Sequence, residues 1–203
     1  MIAVVDYGVG NVQAFLNIYE RLNIDAIAAR DVCTLQKASK IILPGVGAFD
    51  WAMSRLTASG LRTSVEDLVI NQLIPVLGVC VGMQMLADSS EEGTLPGLGW
   101  ISGQVKRFAD TRFNHATHLP HMGWNDVEPV SGDGLFSGLE RPRFYFLHSY
   151  FFEQADTSCV LAETDYGGMF SSAVRRGHIM GTQFHPEKSH RWGVQLLKNF
   201  AEI

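Results

Sequence analysis

The sequence predicts an α/β fold in a single domain, with a largely parallel central sheet flanked by helices and further antiparallel strands toward the C-terminus. Three observations carry this. Short, wholly apolar runs recur in the first 80 residues (Ile2–Val5, Ile41–Leu43, Ile74–Val79), where a strand with one wet face would alternate. Segments with helical spacing lie between them. From Gly97 onward the pattern turns to alternating segments separated by short polar turns.

In order along the chain, Ile2–Val5 reads as a first strand buried on both faces. Asn11 can cap a helix whose apolar positions Val12, Phe15, Leu16, Tyr19 and Leu22 share a stripe, and residues Ile24 to Ala29 return to strand character, making a βαβ opening. Ile41–Leu43 is the next strand and ends in the turn-forming Pro44-Gly45-Val46-Gly47; a helical stretch occupies parts of residues 50–72 before the strand Ile74–Val79. Later strands are expected around Gly99–Phe108, Phe144–Tyr150, Ser171–Arg175 and Ile179–His185. Ser189 stands where it can cap a final helix with Val194, Leu197, Phe200 and Ala201 turned to the sheet. The polar segment from Asp110 to His118 is the candidate mobile loop.

At 203 residues the chain suits one domain at roughly 150 residues per domain. With 46% hydrophobic and 18% charged residues it has the material for a sizeable core, which excludes a disordered chain. Sixteen basic against 21 acidic residues give a net charge of −5, unlike the basic footprint of a nucleic-acid module. Three scattered cysteines, Cys33, Cys80 and Cys159, indicate neither a disulfide scaffold nor a zinc ribbon and fit a reducing cytoplasm. No targeting segment is expected, because Met1 to Val5 meets Asp6 without a basic or long apolar stretch, and no membrane span, because the most apolar stretch, Leu73–Ala87, is interrupted by Pro75, Gly78, Gly82 and Gln84.

The chemistry concentrates at two places. Pro75 to Gln84 runs from a strand through G-x-C-x-G into a helix-compatible segment, a nucleophile elbow with cysteine in place of serine. The tightness of that turn requires small residues at Gly78 and Gly82. Cys80 would be pushed out of the sheet edge at a helix N-terminus, which favours a thiolate, with the N–H of Val81 aimed where an oxyanion would form. Cys33 and Cys159 have no such context and read as small buried hydrophobes. The second place is Gly181 to Ser189, where Pro186 biases His185 toward extended backbone and Glu187, two residues on, can orient its imidazole. Together they form a Cys–His–Glu arrangement for acyl transfer. A metal site built on His115, His118 and His121 is set aside, since the triplet sits in a loop ending at Pro120 and acyl transfer already accounts for Cys80, His185 and Glu187. Asp6 to Asn11 holds only the first half of G-x-G-x-x-G, which argues against a nucleotide site there.

With both places in hand, the chain resembles the class I (triad) glutamine amidotransferases. Leu43 to Phe49, Leu119 to Asn125, Tyr145 to Tyr150 and Gly181 to Ser189, with the elbow, resemble in order the glutaminase subunits of imidazole glycerol phosphate synthase over essentially the whole chain, residues 1–203. Val81, where that family usually has leucine, Ala14, where a serine often follows, and residues 110–118 depart from its pattern. The resemblance implies that Cys80 attacks the side-chain amide of L-glutamine, that His185 relays protons and that Glu187 orients it, with no cofactor and no metal. It implies that Val46 and Gly47 supplement Val81 as oxyanion donors after a peptide rearrangement, and that Gln84 and the backbone of His148, Ser149 and Tyr150 hold the α-amino and α-carboxylate groups. It further implies that the ammonia passes to a (β/α)₈-barrel cyclase subunit in a heterodimer, which forms imidazole glycerol phosphate and an aminoimidazole carboxamide ribotide in histidine biosynthesis, with Asn11, Trp124, Tyr145 and Lys188 at the partner face. Trp124 and Tyr145 equally suit core packing. Two other functions fit the same residues: a paralogous glutaminase feeding an amidino-sugar synthase, and a non-enzymatic thiol sensor built on an exposed Cys80.

Overall fold

The computed structural model describes residues 1–109, 111, 118–132 and 134–203; the expected mobile loop, apart from Thr111 and His118, lies outside the described residues, as does His115. A central eight-stranded sheet is built from β1 (Ile2–Val5), β2 (Ala26–Ala29), β3 (Lys40–Gly45), β4 (Val76–Cys80), β8 (Glu128–Pro129), β11 (Val160–Asp165), β12 (Met169–Arg176) and β13 (Ile179–Thr182). Its spatial order is β2-β1-β3-β4-β13-β12-β11-β8. The first five strands run parallel, and β12, β11 and β8 continue the sheet antiparallel. The apolar runs account for this division: β1 and β4 are buried at every position, as is β3 after Lys40, so helices must cover both faces.

Those helices are α1 (Val12–Arg21), α2 (Val32–Leu35), α3 (Phe49–Ala58), α4 (Arg62–Glu66), which runs on into a wider π turn over Asp67–Asn71, and α6 (His190–Glu202); the four-residue α5 (Val81–Gln84) follows the elbow. The chain moves one way across the sheet from β1 to β2 and the other way from β2 through β3 to β4, so right-handed crossovers put α1 on one face and α2, α3 and α4 on the other. Helix α6 joins α1, where the Tyr19 hydroxyl donates to the Leu197 carbonyl at 3.1 Å. Two small sheets complete the fold: β5 (Ser89–Ser90), β6 (Gly103–Arg107) and β10 (Tyr150–Gln154) in one, β7 (His121–Asp126) and β9 (Arg143–His148) in the other.

The α/β class, the parallel half of the sheet and the antiparallel continuation are as the sequence predicts. Several details differ. Strand β3 runs on through Pro44 and Gly45, which pair in register with Val79 and Cys80, so the expected turn begins only at Val46. Strands β5, β7, β8 and β11 are additional, as is β10 beyond Tyr150; in β11 half-buried residues blur the alternation that would reveal a strand. Ser189 occupies the N-cap of α6 through its carbonyl, which accepts the Gly193 N–H at 3.1 Å, and not through its side chain; the buried side of that helix is Gly193, Leu196, Leu197, Asn199 and Phe200, leaving Val194 and Ala201 half-buried. Cys33 is exposed, because α2 turns Leu35 inward instead, and Cys159 is half-buried.

Candidate active site

Parallel strands end together, and the C-terminal ends of β1, β3, β4 and β13 deliver Asn11, the Val46–Gly47 turn, Cys80 and His185 to one edge of the sheet, the usual place for a ligand in such folds. Cys80 ends β4 with φ 55° and ψ −113°, a conformation L-residues seldom adopt. The turn closes against β3 with no space for side chains: a Cβ on Gly82 would lie 1.9 Å from the Leu43 carbonyl oxygen, and one on Gly78 would lie 2.6 Å from that of Gly82. Both glycines of the G-x-C-x-G pattern are thus sterically required. The sulfur is buried instead of standing proud of the sheet edge, and it lines a cavity of about 320 Å³.

His185 arrives from the end of β13 on extended backbone, and its N–H donates to the Tyr145 carbonyl at 2.9 Å. Glu187 does not share an extended face with it as expected. Residues Pro186–Lys188 form a 3₁₀ turn, which folds the carboxylate back so that His185 Nδ1 lies 2.8 Å from Glu187 Oε1 with both side chains almost wholly buried. Burial alone would lower the imidazole's pKa, but hydrogen bonding and charge attraction from Cys80 and Glu187 outweigh it and raise it to about 10. The ring is therefore protonated at neutral pH.

The structure brings Cys80, His185 and Glu187 together, and the cavity is lined by the other expected substrate contacts, Val46, Gly47, Val81, Gln84, His148, Ser149 and Tyr150. Gln84 is buried and donates both amide protons internally, to the Tyr150 carbonyl at 3.1 Å and to Gln183 Oε1 at 3.0 Å. Three contributors escaped the sequence reasoning. Gln183 donates to the Cys80 sulfur at 3.7 Å, and the same i, i+2 rule that singled out Glu187 could have found it beside His185. Glu92 lines the cavity while accepting the Phe49 N–H at 2.9 Å; nothing in its polar surroundings marks it. Ser189 turns its hydroxyl to the active site, donating to the His185 carbonyl at 2.5 Å and accepting from the Tyr145 N–H at 3.0 Å.

The expected partner-face residues lie on the surface around this edge. Trp124 is 39% exposed and stacks on His190 (centroids 5.3 Å, 2° between planes), with Tyr145 and Trp192 beside it, and the Lys188 ammonium sits 5.8 Å from the Tyr145 ring centre. Exposed Asn11 caps α1, accepting the Ala14 N–H at 3.2 Å. Among the described residues no three histidine, cysteine, aspartate or glutamate side chains form a group able to hold a metal, and His121 is engaged with His148 and Asn125.

Comparison with known proteins agrees with this geometry. The family model for glutamine amidotransferase class-I matches residues 3–203. Solved structures with the same fold include PurLQS from Thermotoga maritima (TM-score 0.70, 18% identity, 99% of this chain and 97% of that one) and the acivicin-bound glutaminase domain of Trypanosoma brucei CTPS (TM-score 0.67, 18% identity, 99% and 93%). The chain belongs to the class-I glutamine amidotransferase family. Within it, the chain is 57% identical to the imidazole glycerol phosphate synthase subunit HisH of Bdellovibrio bacteriovorus and 52% identical to that of Leptospira interrogans, each over the full length of both chains, and 47% identical to HisH 2 of Pseudomonas aeruginosa, again over both full lengths.

Proposed function

We propose that this chain is the glutaminase subunit of imidazole glycerol phosphate synthase, a single amidotransferase domain over residues 1–203 that hydrolyses L-glutamine and passes the ammonia to a cyclase subunit in histidine biosynthesis. The observation that carries the chemistry is the buried Cys80–His185–Glu187 arrangement, in which Cys80 and His185 line a cavity, the elbow holds Cys80 at positive φ and Glu187 Oε1 lies 2.8 Å from His185 Nδ1. The Cys80 sulfur attacks the side-chain amide carbon. As the C–N bond breaks, protonated His185 gives its proton to the departing nitrogen, leaving ammonia and a glutamyl thioester. The neutral imidazole then takes a proton from water, whose oxygen attacks the thioester; the C–S bond breaks and glutamate leaves. Val81 supplies one oxyanion N–H, joined by Val46 and Gly47 when their turn rearranges. Gln84 and the backbone of His148, Ser149 and Tyr150 hold the substrate's α-amino and α-carboxylate ends. No cofactor or metal enters these steps.

The partner is a (β/α)₈-barrel cyclase subunit docked as a heterodimer over Asn11, Trp124, Tyr145 and Lys188. What supports this is the exposed apolar rim near the cavity: Trp124, Met122, Leu147 and Val46 are each 39% or more exposed. The biosynthetic role sets the enzyme in the cytoplasm; no helix among the described residues is long and apolar enough to cross a membrane. A second reading is a paralogue serving an amidino-sugar synthase, favoured by the name HisH 2, a second copy, that relatives at 47% and 43% identity carry. Complementation separates the two. The gene should restore growth without histidine to a strain that contains the matching cyclase but lacks its glutaminase subunit, and a Cys80→Ala version should not. Failure of the wild-type gene, with the protein present and bound to the cyclase, would favour the paralogue.

A further inference from the structure

Two histidines whose imidazoles the proposed chemistry does not use stand directly opposite each other on β7 and β9, His121 facing His148, and both are buried. His121 Nδ1 lies 2.9 Å from His148 Nε2, and His148 Nδ1 lies 2.7 Å from the Tyr150 carbonyl oxygen. At the other end Asn125 Nδ2 lies 3.2 Å from His121 Nε2 and 2.9 Å from the Asp165 carbonyl oxygen.

This chain of contacts has one consistent proton assignment. A carbonyl only accepts, so His148 carries its proton on Nδ1. Burial, reinforced by the neighbouring His121, lowers the pKa of His148 to about 3, and burial lowers that of His121 to about 4, so both rings are neutral. His148 Nε2 is then a lone pair, and His121 must donate to it from Nδ1. His121 Nε2 is in turn an acceptor, met by the amide of Asn125. The orientation of that amide is fixed independently, because Asn125 Oδ1 accepts the Asp126 N–H at 2.8 Å. Along the path Asn125–His121–His148–Tyr150 each group donates to the next.

We propose that His121 is a positioning residue for glutamine: through His148 it fixes the backbone at Ser149 and Tyr150, and through the shared Tyr150 carbonyl it helps hold Gln84. The inference rests on the glutaminase reading, which assigns those groups to the substrate's α-amino and α-carboxylate ends. The Tyr150 carbonyl takes both the His148 N–H and the Gln84 amide, so the imidazole orientation decides where two glutamine contacts sit. Without a donor at position 121, His148 Nε2 is a buried acceptor left unpaired, and the ring gains by turning away from Tyr150.

Two substitutions separate this role from simple packing. His121 also stacks on Tyr166 (centroids 3.8 Å) and Phe146 (4.5 Å). His121→Phe keeps the ring and removes the donor, whereas His121→Asn removes the ring and keeps an N–H near the place of Nδ1. In the complex with the cyclase, His121→Phe should raise KM for glutamine about tenfold, the scale of one unpaired buried acceptor, with kcat within about twofold, and His121→Asn should stay near the wild-type KM. An unchanged KM in His121→Phe, or an equal rise in both variants, would overturn the inference while an active wild type left the glutaminase reading standing. A wild-type complex that releases no glutamate would overturn both. Should His121→Phe fail to fold, ¹⁵N NMR of the wild-type imidazoles decides: His121 and His148 should both appear as Nδ1–H tautomers, and an Nε2–H tautomer at either would contradict the assignment.

Discussion

His185 depends on its neighbours, since hydrogen bonding and charge attraction from Cys80 and Glu187 hold the imidazole's pKa up against burial. Glu187→Gln removes the charge and keeps the shape. His185 should then lose its proton at lower pH, moving the alkaline limb of the kcat/KM profile down from near 10, and activity should fall by about 10²- to 10⁴-fold, the usual weight of an oriented acid–base residue. A pH–rate profile of the variant in complex with the cyclase measures both, and an alkaline limb that stays in place would contradict the coupling. That Cys80, His185 and Glu187 would meet was legible in the sequence because the motifs that carry them are short, G-x-C-x-G and His-Pro-Glu. Glu92 and the hydroxyl of Ser189 were not, because their roles arise from chain segments that meet only in the folded molecule: Glu92 with Phe49, and Ser189 with Tyr145.

The elbow shows how one element constrains two strands. Because a Cβ at position 82 would collide with the backbone of β3, Gly82→Ala must displace either the nucleophile or the β3–β4 pairing. The expected loss is several kcal/mol, at the severe end for single substitutions. Gly132→Ala, at a glycine whose added Cβ meets nothing within 4 Å, is the control and should change stability by about 0.5 kcal/mol or less. Denaturant unfolding of both variants tests this, and equal stability would mean the turn can relax. The parallel strands were legible because burial on both faces leaves uninterrupted apolar runs such as Ile2–Val5. Strand β7 was legible only as a motif, since its outward positions hold Met122 and Trp124 beside inward His121, reversing the apolar pattern by which a strand is ordinarily read.

For the molecule as a whole, the buried histidines shape stability against pH from opposite sides. His185 has a raised pKa, so its contribution is complete below about 6.5 and is lost as pH rises toward 10. His121 and His148 have lowered values; the unfolded chain binds their protons first, so stability falls as pH drops from about 6.5 toward 4 and 3. Thermal unfolding across pH should therefore peak near neutrality, and His121→Phe should flatten the acid side; an acid limb unchanged in that variant would contradict it. At the surface, Trp124→Ala should weaken binding to the cyclase about 10- to 100-fold, as expected for an aromatic anchor, without changing the triad; titration calorimetry reads it, and unaltered affinity would move the interface elsewhere. The claim on which all else rests is that Cys80 releases ammonia from glutamine for a partner. Its most direct test is glutamate release by the wild-type chain and by Cys80→Ala, each alone and with the cyclase and its nucleotide substrate. Slow release by the wild type alone, marked acceleration in the loaded complex and none from Cys80→Ala in either state is the predicted result, and undiminished release by Cys80→Ala would contradict it.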